Sequence, residues 1–201
     1  MEKLRAAMVL FDRFELLDAC GPLEMFGQLQ SKVDMTTTAM ATGPIRSAQG
    51  PALLADTALS ELDILLIPGG IGRLRAENDP AILAEIKRLA EAAAHVGTIC
   101  TGASILAHTG LLDGLSATTN KRAFESVRDN VPKVNWVPQA RWVEDGKFFT
   151  SAGVSAGMDM ALALIAKLFG QNCAVEVARI AEYQWHSSPE WDPFAEAADL
   201  V

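Results

Sequence analysis

Ile64-Leu65-Leu66-Ile67-Pro68-Gly69-Gly70 is an apolar run with no polar interruption, shut by a proline and paired glycines. A strand with one wet face alternates polar and apolar residues, so four consecutive apolar ones fit a strand covered on both sides. A second stretch, Val96-Gly97-Thr98-Ile99-Cys100-Thr101-Gly102, passes from a strand straight into a helix predicted over 102–109. Between them lies a helix with a clear start. Asp79 is a plausible N-cap, Pro80 takes the first helical position, and Ile82, Ile86 and Leu89 recur at helical spacing. Strand, helix, strand, helix is the alternation of a mostly parallel sheet with helices on its faces.

The same alternation extends outward. A first strand is predicted over 4–11, a helix starting near Gly21-Pro22, and a second strand over 33–39, followed by a hairpin or irregular excursion over 45–56. Short strands at 117–119 and 134–136 flank a helix over 121–128. Strands 141–144 and 147–150, joined by Asp145-Gly146, carry the strongest hairpin signal. Two late helices, 155–169 and 172–182, are separated by Gly170 as a helix stop. The tail over 185–194 has no periodicity. These readings give one domain over 1–201, a flavodoxin-like three-layer α/β sandwich.

Composition narrows the function. A chain of 201 residues and 21.5 kDa buries roughly 70% of its unfolded surface, enough to fold without metals or disulfides. The net charge of −8 and scattered Lys-Arg pairs disfavour nucleic acid as a partner. No apolar run approaches the roughly 20 residues of a membrane span, and residues 6–11 are too short for a signal-peptide core. Three cysteines without a CxxC suit a reducing, cytoplasmic setting. Three dispersed histidines close no metal site, and Gly69-Gly70-Ile71-Gly72 lacks dinucleotide-fingerprint spacing, so neither metal nor cofactor is expected.

Cys100 stands out chemically. A residue at a sharp strand-to-helix turn projects at the carboxyl edge of the sheet, where open α/β folds place ligands. The following helix N-terminus favours a thiolate. A lone cysteine is more often core, but this context favours function. Gly69 and Gly70 let backbone N–H groups approach an oxyanion beside Cys100; alone, they are a tight turn. Asp18, ahead of Cys20-Gly21-Pro22, either caps a helix, the commoner use, or leans towards the thiol as a proton donor.

Asp18-Ala19-Cys20-Gly21-Pro22, Ile67-Pro68-Gly69-Gly70 and Thr98-Ile99-Cys100-Thr101-Gly102-Ala103 together resemble the DJ-1/PfpI superfamily. Gly110-Leu111-Leu112-Asp113-Gly114 with Ala117-Thr118-Thr119, and the stretch Ser151-Ala152-Gly153-Val154-Ser155-Ala156-Gly157-Met158-Asp159, extend the match in the right order. The aspartate before Gly-Pro and the Cys-Thr-Gly elbow look most like the isocyanide (isonitrile) hydratase branch. The resemblance implies a Cys100 nucleophile with Asp18 as acid, and Gly69, Gly70 and Thr101 holding the polar end of a covalent thioimidate. It also implies a homodimer acting on a small molecule, and the apolar Leu23, Met25, Phe26 and Leu29 of the first helix suit one.

Departures matter too. Protease-like relatives carry a histidine after the nucleophile, where this chain has Thr101; a histidine commonly follows the Thr-Thr pair, and here stands Asn120. His95, placed at a helix end, and His108 read as structural, leaving His186 of the tail as the one histidine able to reach a site. A Cys-His-Asp amidase-like or deglycase-like hydrolase is therefore disfavoured. The other rival is a redox sensor whose Cys100 is oxidised rather than turned over. Gly153-Val154-Ser155-Ala156-Gly157 matches a serine-hydrolase elbow. With only two helices and a tail behind it, Ser155 reads better as a helix-start residue. Asn120, Val154 and Ser155 are then candidate pocket lining.

Overall fold

The computed structural model describes residues 2–56 and 62–201. Its chain runs β1 (Leu4–Val9), α1 (Leu16–Gly27), β2 (Val33–Thr38), a hairpin of β3 (Gly43–Arg46) and β4 (Ala52–Ala55), and then β5 (Ile64–Ile67). There follow α2 (Arg73–Ala76), α3 (Pro80–Ala92), β6 (His95–Thr98), α4 (Gly102–His108), β7 (Ser116–Ala117) and α5 (Phe124–Asn130). The chain continues through β8 (Asn135–Trp136), β9 (Trp142–Asp145), β10 (Phe148–Ser151), α6 (Ala156–Phe169) and α7 (Gln171–Ile180).

Six strands form the central sheet in the order β2-β1-β5-β6-β10-β9. All neighbours are parallel except β10 and β9, which form the antiparallel edge. Helices α1, α6 and α7 pack together on one face and α2, α3 and α4 on the other, giving three layers. The continuous apolar run explains β5: all four residues are fully buried between β1 and β6, with helices above and below. The chain leaves β1 on one side for β2 and returns across it to β5. The carboxyl ends of β1 and β5 therefore flank the switch point where such sheets open a crevice.

Four local readings are corrected. Helix α1 begins at Leu16, five residues before Gly21, and contains Pro22 in its interior. Proline there removes the bond to the Asp18 carbonyl, but Gly21 brings α1 so close to α6 that a Cβ would lie 2.7 Å from Met158 Cγ. Tight packing overrides the positional preference of proline. His95 opens β6 rather than closing a helix. The β9–β10 hairpin sits one residue later, because Phe148 pairs with Asp145 and leaves Gly146-Lys147 as the loop. Thr118 and Thr119 leave the sheet after β7, since their hydroxyls bond the Val137 and Cys100 carbonyls. The helix stop at Gly170 and the Asp79 cap are where the residues put them; the Asp79 carboxylate accepts from the N–H groups of Ala81 and Ile82.

Candidate active site

Turns after three adjacent strands converge at the carboxyl edge. Asp18 lies in the first turn of α1, after β1; Gly69 and Gly70 follow β5; Cys100 and Thr101 follow β6. Cys100 sits at φ 57°, a conformation that costs an L-residue about 1–2 kcal/mol. It is pinned at both ends: its N–H donates to the Ala152 carbonyl (3.1 Å), and its own carbonyl accepts from the Thr119 hydroxyl (2.9 Å). The strain aims the side chain inward, and only 6% of the residue is exposed.

Around the sulfur stand three hydrogen-bond donors, the backbone N–H groups of Thr101 and Val154 and the side-chain amide of Asn120. Val154 also has positive φ, 47°, unusual for a β-branched residue. Asn120 is oriented by its other end, since its Oδ1 accepts from the Ala123 N–H at 3.1 Å.

Asp18 is fully buried against the thiol. Its Oδ2 accepts from the Gly69 N–H at 2.9 Å. Its Oδ1 has no short, well-directed hydrogen bond, although carboxyl and thiol interact. Burial, helped by Glu15, lifts the carboxyl from 3.8 to about 7, against the pull of the Gly69 N–H. Burial and the neighbouring Asp18 charge push the thiol up to about 12. The sequence had suggested a thiol lowered by the helix N-terminus; desolvation outweighs it here. The effect is one-sided: the Asp18 charge holds the thiol back from ionising, whereas the thiol as a hydrogen-bond partner favours the Asp18 carboxylate.

The two glycine amides offered to an oxyanion are already engaged. Gly69 N–H holds Asp18, and Gly70 N–H donates to Thr101 Oγ1 at 3.1 Å. Gly69 is squeezed between them: a Cβ there would lie 2.5 Å from both Thr101 N and Thr101 Oγ1. These glycines brace the acid and the elbow. Thr101 accepts one bond at its hydroxyl and keeps a proton to donate.

Residues 4–167 match the DJ-1/PfpI family. The chain belongs to that family. It is 31% identical over 190 residues to the isonitrile hydratase of Pseudomonas putida, covering 92% of this chain and 79% of that protein. It is 35% identical over 139 residues to the HTH-type transcriptional regulator CdhR of Pseudomonas aeruginosa, covering 68% of this chain and 41% of that longer protein. Among solved structures, a THiJ/PfpI family protein from Pseudomonas syringae superposes with TM-score 0.83 at 31% identity, over 92% of this chain and 76% of that one.

In this DJ-1/PfpI chain the histidines stay away from the elbow. His108 Nδ1 bonds the Ser104 carbonyl one turn back in α4, His95 packs edge-on against Phe149, and His186 is exposed, with its backbone N–H on Asp159. Ser155 precedes α6 without capping it, and its hydroxyl lies 3.4 Å from an Arg141 guanidinium nitrogen. No helix among the described residues is long and apolar enough to cross a membrane. Met25 and Phe26 of α1 and Leu29 just beyond it lie inside the core, so they offer no face to a second subunit, and Leu23 is half-buried against that core; Leu17 is the exposed apolar residue of the helix.

Beside the sulfur's donors opens a cavity of about 460 Å³, lined by Asn120, Val154 and Ser155 and walled by Phe194, Ala197 and Ala198 of the tail. A buried ionic network holds the tail in place: Arg141 bonds Asp159 (2.8 Å) and Asp192 (3.2 Å), while Tyr183 and the Trp185 indole bond Asp159. Sequence reasoning missed this network and the Thr119 prop. Asp159 was visible only as part of a matching motif, and nothing local marks Arg141 and Asp192 as partners.

Proposed function

We propose that this protein is a cysteine-dependent hydratase that converts an isocyanide to an N-formamide in a reducing cytoplasm. The observation that carries the reading is the buried Asp18 carboxyl, poised at about 7 beside the Cys100 thiol with no histidine in reach. A general acid–base is most effective when its pKa lies near the working pH. The relationship to an isonitrile hydratase supports the substrate class.

In the first step Asp18 takes the thiol proton as sulfur bonds to the terminal isocyanide carbon, then returns that proton to the same carbon. The product is a thioimidate, R–N=CH–S–Cys100. Thr101 Oγ–H is the donor offered to its nitrogen. In the second step Asp18 takes a proton from water as the oxygen adds to that carbon and passes it to the nitrogen, giving R–NH–CH(OH)–S–Cys100. This adduct expels sulfur, which receives the adduct's hydroxyl proton through Asp18, leaving R–NH–CHO. The sum is isocyanide plus water, with no change of oxidation state and hence no demand for a redox cofactor. Two lower barriers replace one. An oxidation-sensing cysteine is ordinarily accessible and rich in thiolate, and Cys100 is neither.

The test is formamide production from cyclohexyl isocyanide by wild type, Cys100→Ala and Asp18→Asn. Multiple turnovers by wild type alone support the reading. Absence of formamide from wild type, with stoichiometric consumption of peroxide at Cys100, transfers the site to redox sensing.

A further inference from the structure

The cavity beside the sulfur's donors has an electrical character at odds with the chain around it. The protein carries a formal charge of −8, yet the ionised side chains in and under this cavity sum to a positive value. Lys121 and Arg141 are buried cations, and Asp159 and Asp192 are their buried counter-charges. That leaves Arg122. It lines the cavity, is exposed, and makes no ion pair or hydrogen bond with any described residue. Asp192 is the one carboxylate in the lining, and the other acidic side chains of this tail segment, Glu190, Glu196 and Asp199, are exposed and outside it.

Lys121 is also incompletely used. Its ammonium donates to Thr118 Oγ1 (2.9 Å) and the Ala140 carbonyl (2.6 Å) and lies 5.7 Å from the centre of the Phe124 ring, so its third proton has no oxygen acceptor among the described residues. Burial pulls its pKa down to about 8, so an added anion would relieve the cost of keeping it charged. Opposite these cations the wall is apolar, made by Val154, Phe194, Ala197 and Ala198. Asn120 and Val154 belong both to this lining and to the donors at the sulfur, so a ligand here lies one residue from the reacting atom.

We propose that this cavity selects ligands that join a carboxylate to a small apolar body, the carboxylate meeting Arg122 and Lys121 and the apolar body the tail. Resting on the hydratase reading, the substrate class becomes a 2-isocyano-carboxylate with an apolar side chain, and the product an N-formyl amino acid. Guanidinium is the natural partner for a carboxylate because two parallel N–H groups match its two oxygens.

Two measurements test this. The first compares potassium 2-isocyano-4-methylpentanoate with its methyl ester, which differ at the carboxylate alone. Wild type is expected to favour the carboxylate at least tenfold in kcat/KM. Arg122→Gln should collapse that preference, while Arg128→Gln, an equal loss of charge on the exposed face of α5, should retain it. The second measures binding of N-formyl-leucine and its methyl ester by calorimetry in the same proteins, independent of turnover. A carboxylate preference that Arg122→Gln abolishes supports the anion site. Equal binding of acid and ester by wild type, or a preference unchanged in Arg122→Gln, overturns it. If no isocyanide is hydrated, the hydratase reading and the substrate class fall together, and binding alone decides the anion site.

Discussion

Replacing Asp18 with asparagine should separate stability from activity in opposite directions. The carboxyl titrates at 3.8 when exposed and at about 7 when folded. Between those values the native protein holds a proton that the unfolded chain has released, so raising the pH through this window favours unfolding. Three units at 1.36 kcal/mol each give about 4 kcal/mol as the most that wild type loses between pH 4 and pH 8 through this group. Asp18→Asn keeps the shape, with its Oδ1 able to accept the Gly69 N–H, and has no proton to lose. The stability difference, mutant minus wild type, should therefore grow by about 2–4 kcal/mol from pH 4 to pH 8, most of it below pH 7. Urea unfolding at four or five pH values measures this directly. Formamide production should fall about 100-fold or more, the usual worth of a positioned acid–base group. A difference that stays flat from pH 4 to pH 8 would refute the reasoning, because Asp18 would then titrate as an ordinary surface carboxyl.

The Asp18 charge also holds the Cys100 thiol up, so Asp18→Asn should speed iodoacetamide labelling of Cys100 at pH 8 even as turnover collapses; peptide mapping with a time course checks it. In wild type the partly exposed Cys173 should be labelled before buried Cys100. Gly69→Ala should cost about 1–3 kcal/mol from overpacking and abolish activity, since the new methyl group meets the Thr101 backbone; denaturant unfolding with an activity assay reads both. Light scattering should give roughly twice 21.5 kDa, with exposed Leu17, Val175 and Ile180 of α1 and α7 as the apolar contact, and Ile180→Glu should weaken the association.

The strand-to-helix elbow was legible because its causes are local. A β-branched run before Cys100 and small residues after it leave the chain little choice, and the same holds for the buried Ile64–Ile67 strand and the Asp79 cap. Asp18 could be placed near the thiol only through the matching motifs, since its partner is 82 residues away. What escaped depends on direction rather than residue type. Whether the Gly69 and Gly70 amides face a substrate or brace Asp18 and Thr101 is set by how three turns nest, and no pattern along one turn records it. The Val154 N–H reaches the sulfur because of a positive φ that valine seldom adopts, so sequence preference argues against it. The start of α1 was misplaced for a similar reason: a general rule about proline lost to one close contact between Gly21 and Met158.

The tail that walls the cavity lies beyond residue 167, where the family match ends. Asp18, Cys100, Lys121 and Arg122 fall inside that match, whereas Asp192, Phe194, Ala197 and Ala198 fall outside it. On the proposed reading, the carboxylate end of the ligand and the reacting groups are served by one stretch of chain and the apolar end by another, joined by the Arg141–Asp192 contact. On that reading, changes confined to the tail would alter the apolar end of the ligand and leave Cys100, Asp18 and Arg122 in place. A graft of that segment between two family members is correspondingly the shortest route to exchanging their preferences, provided the arginine that receives it is carried along.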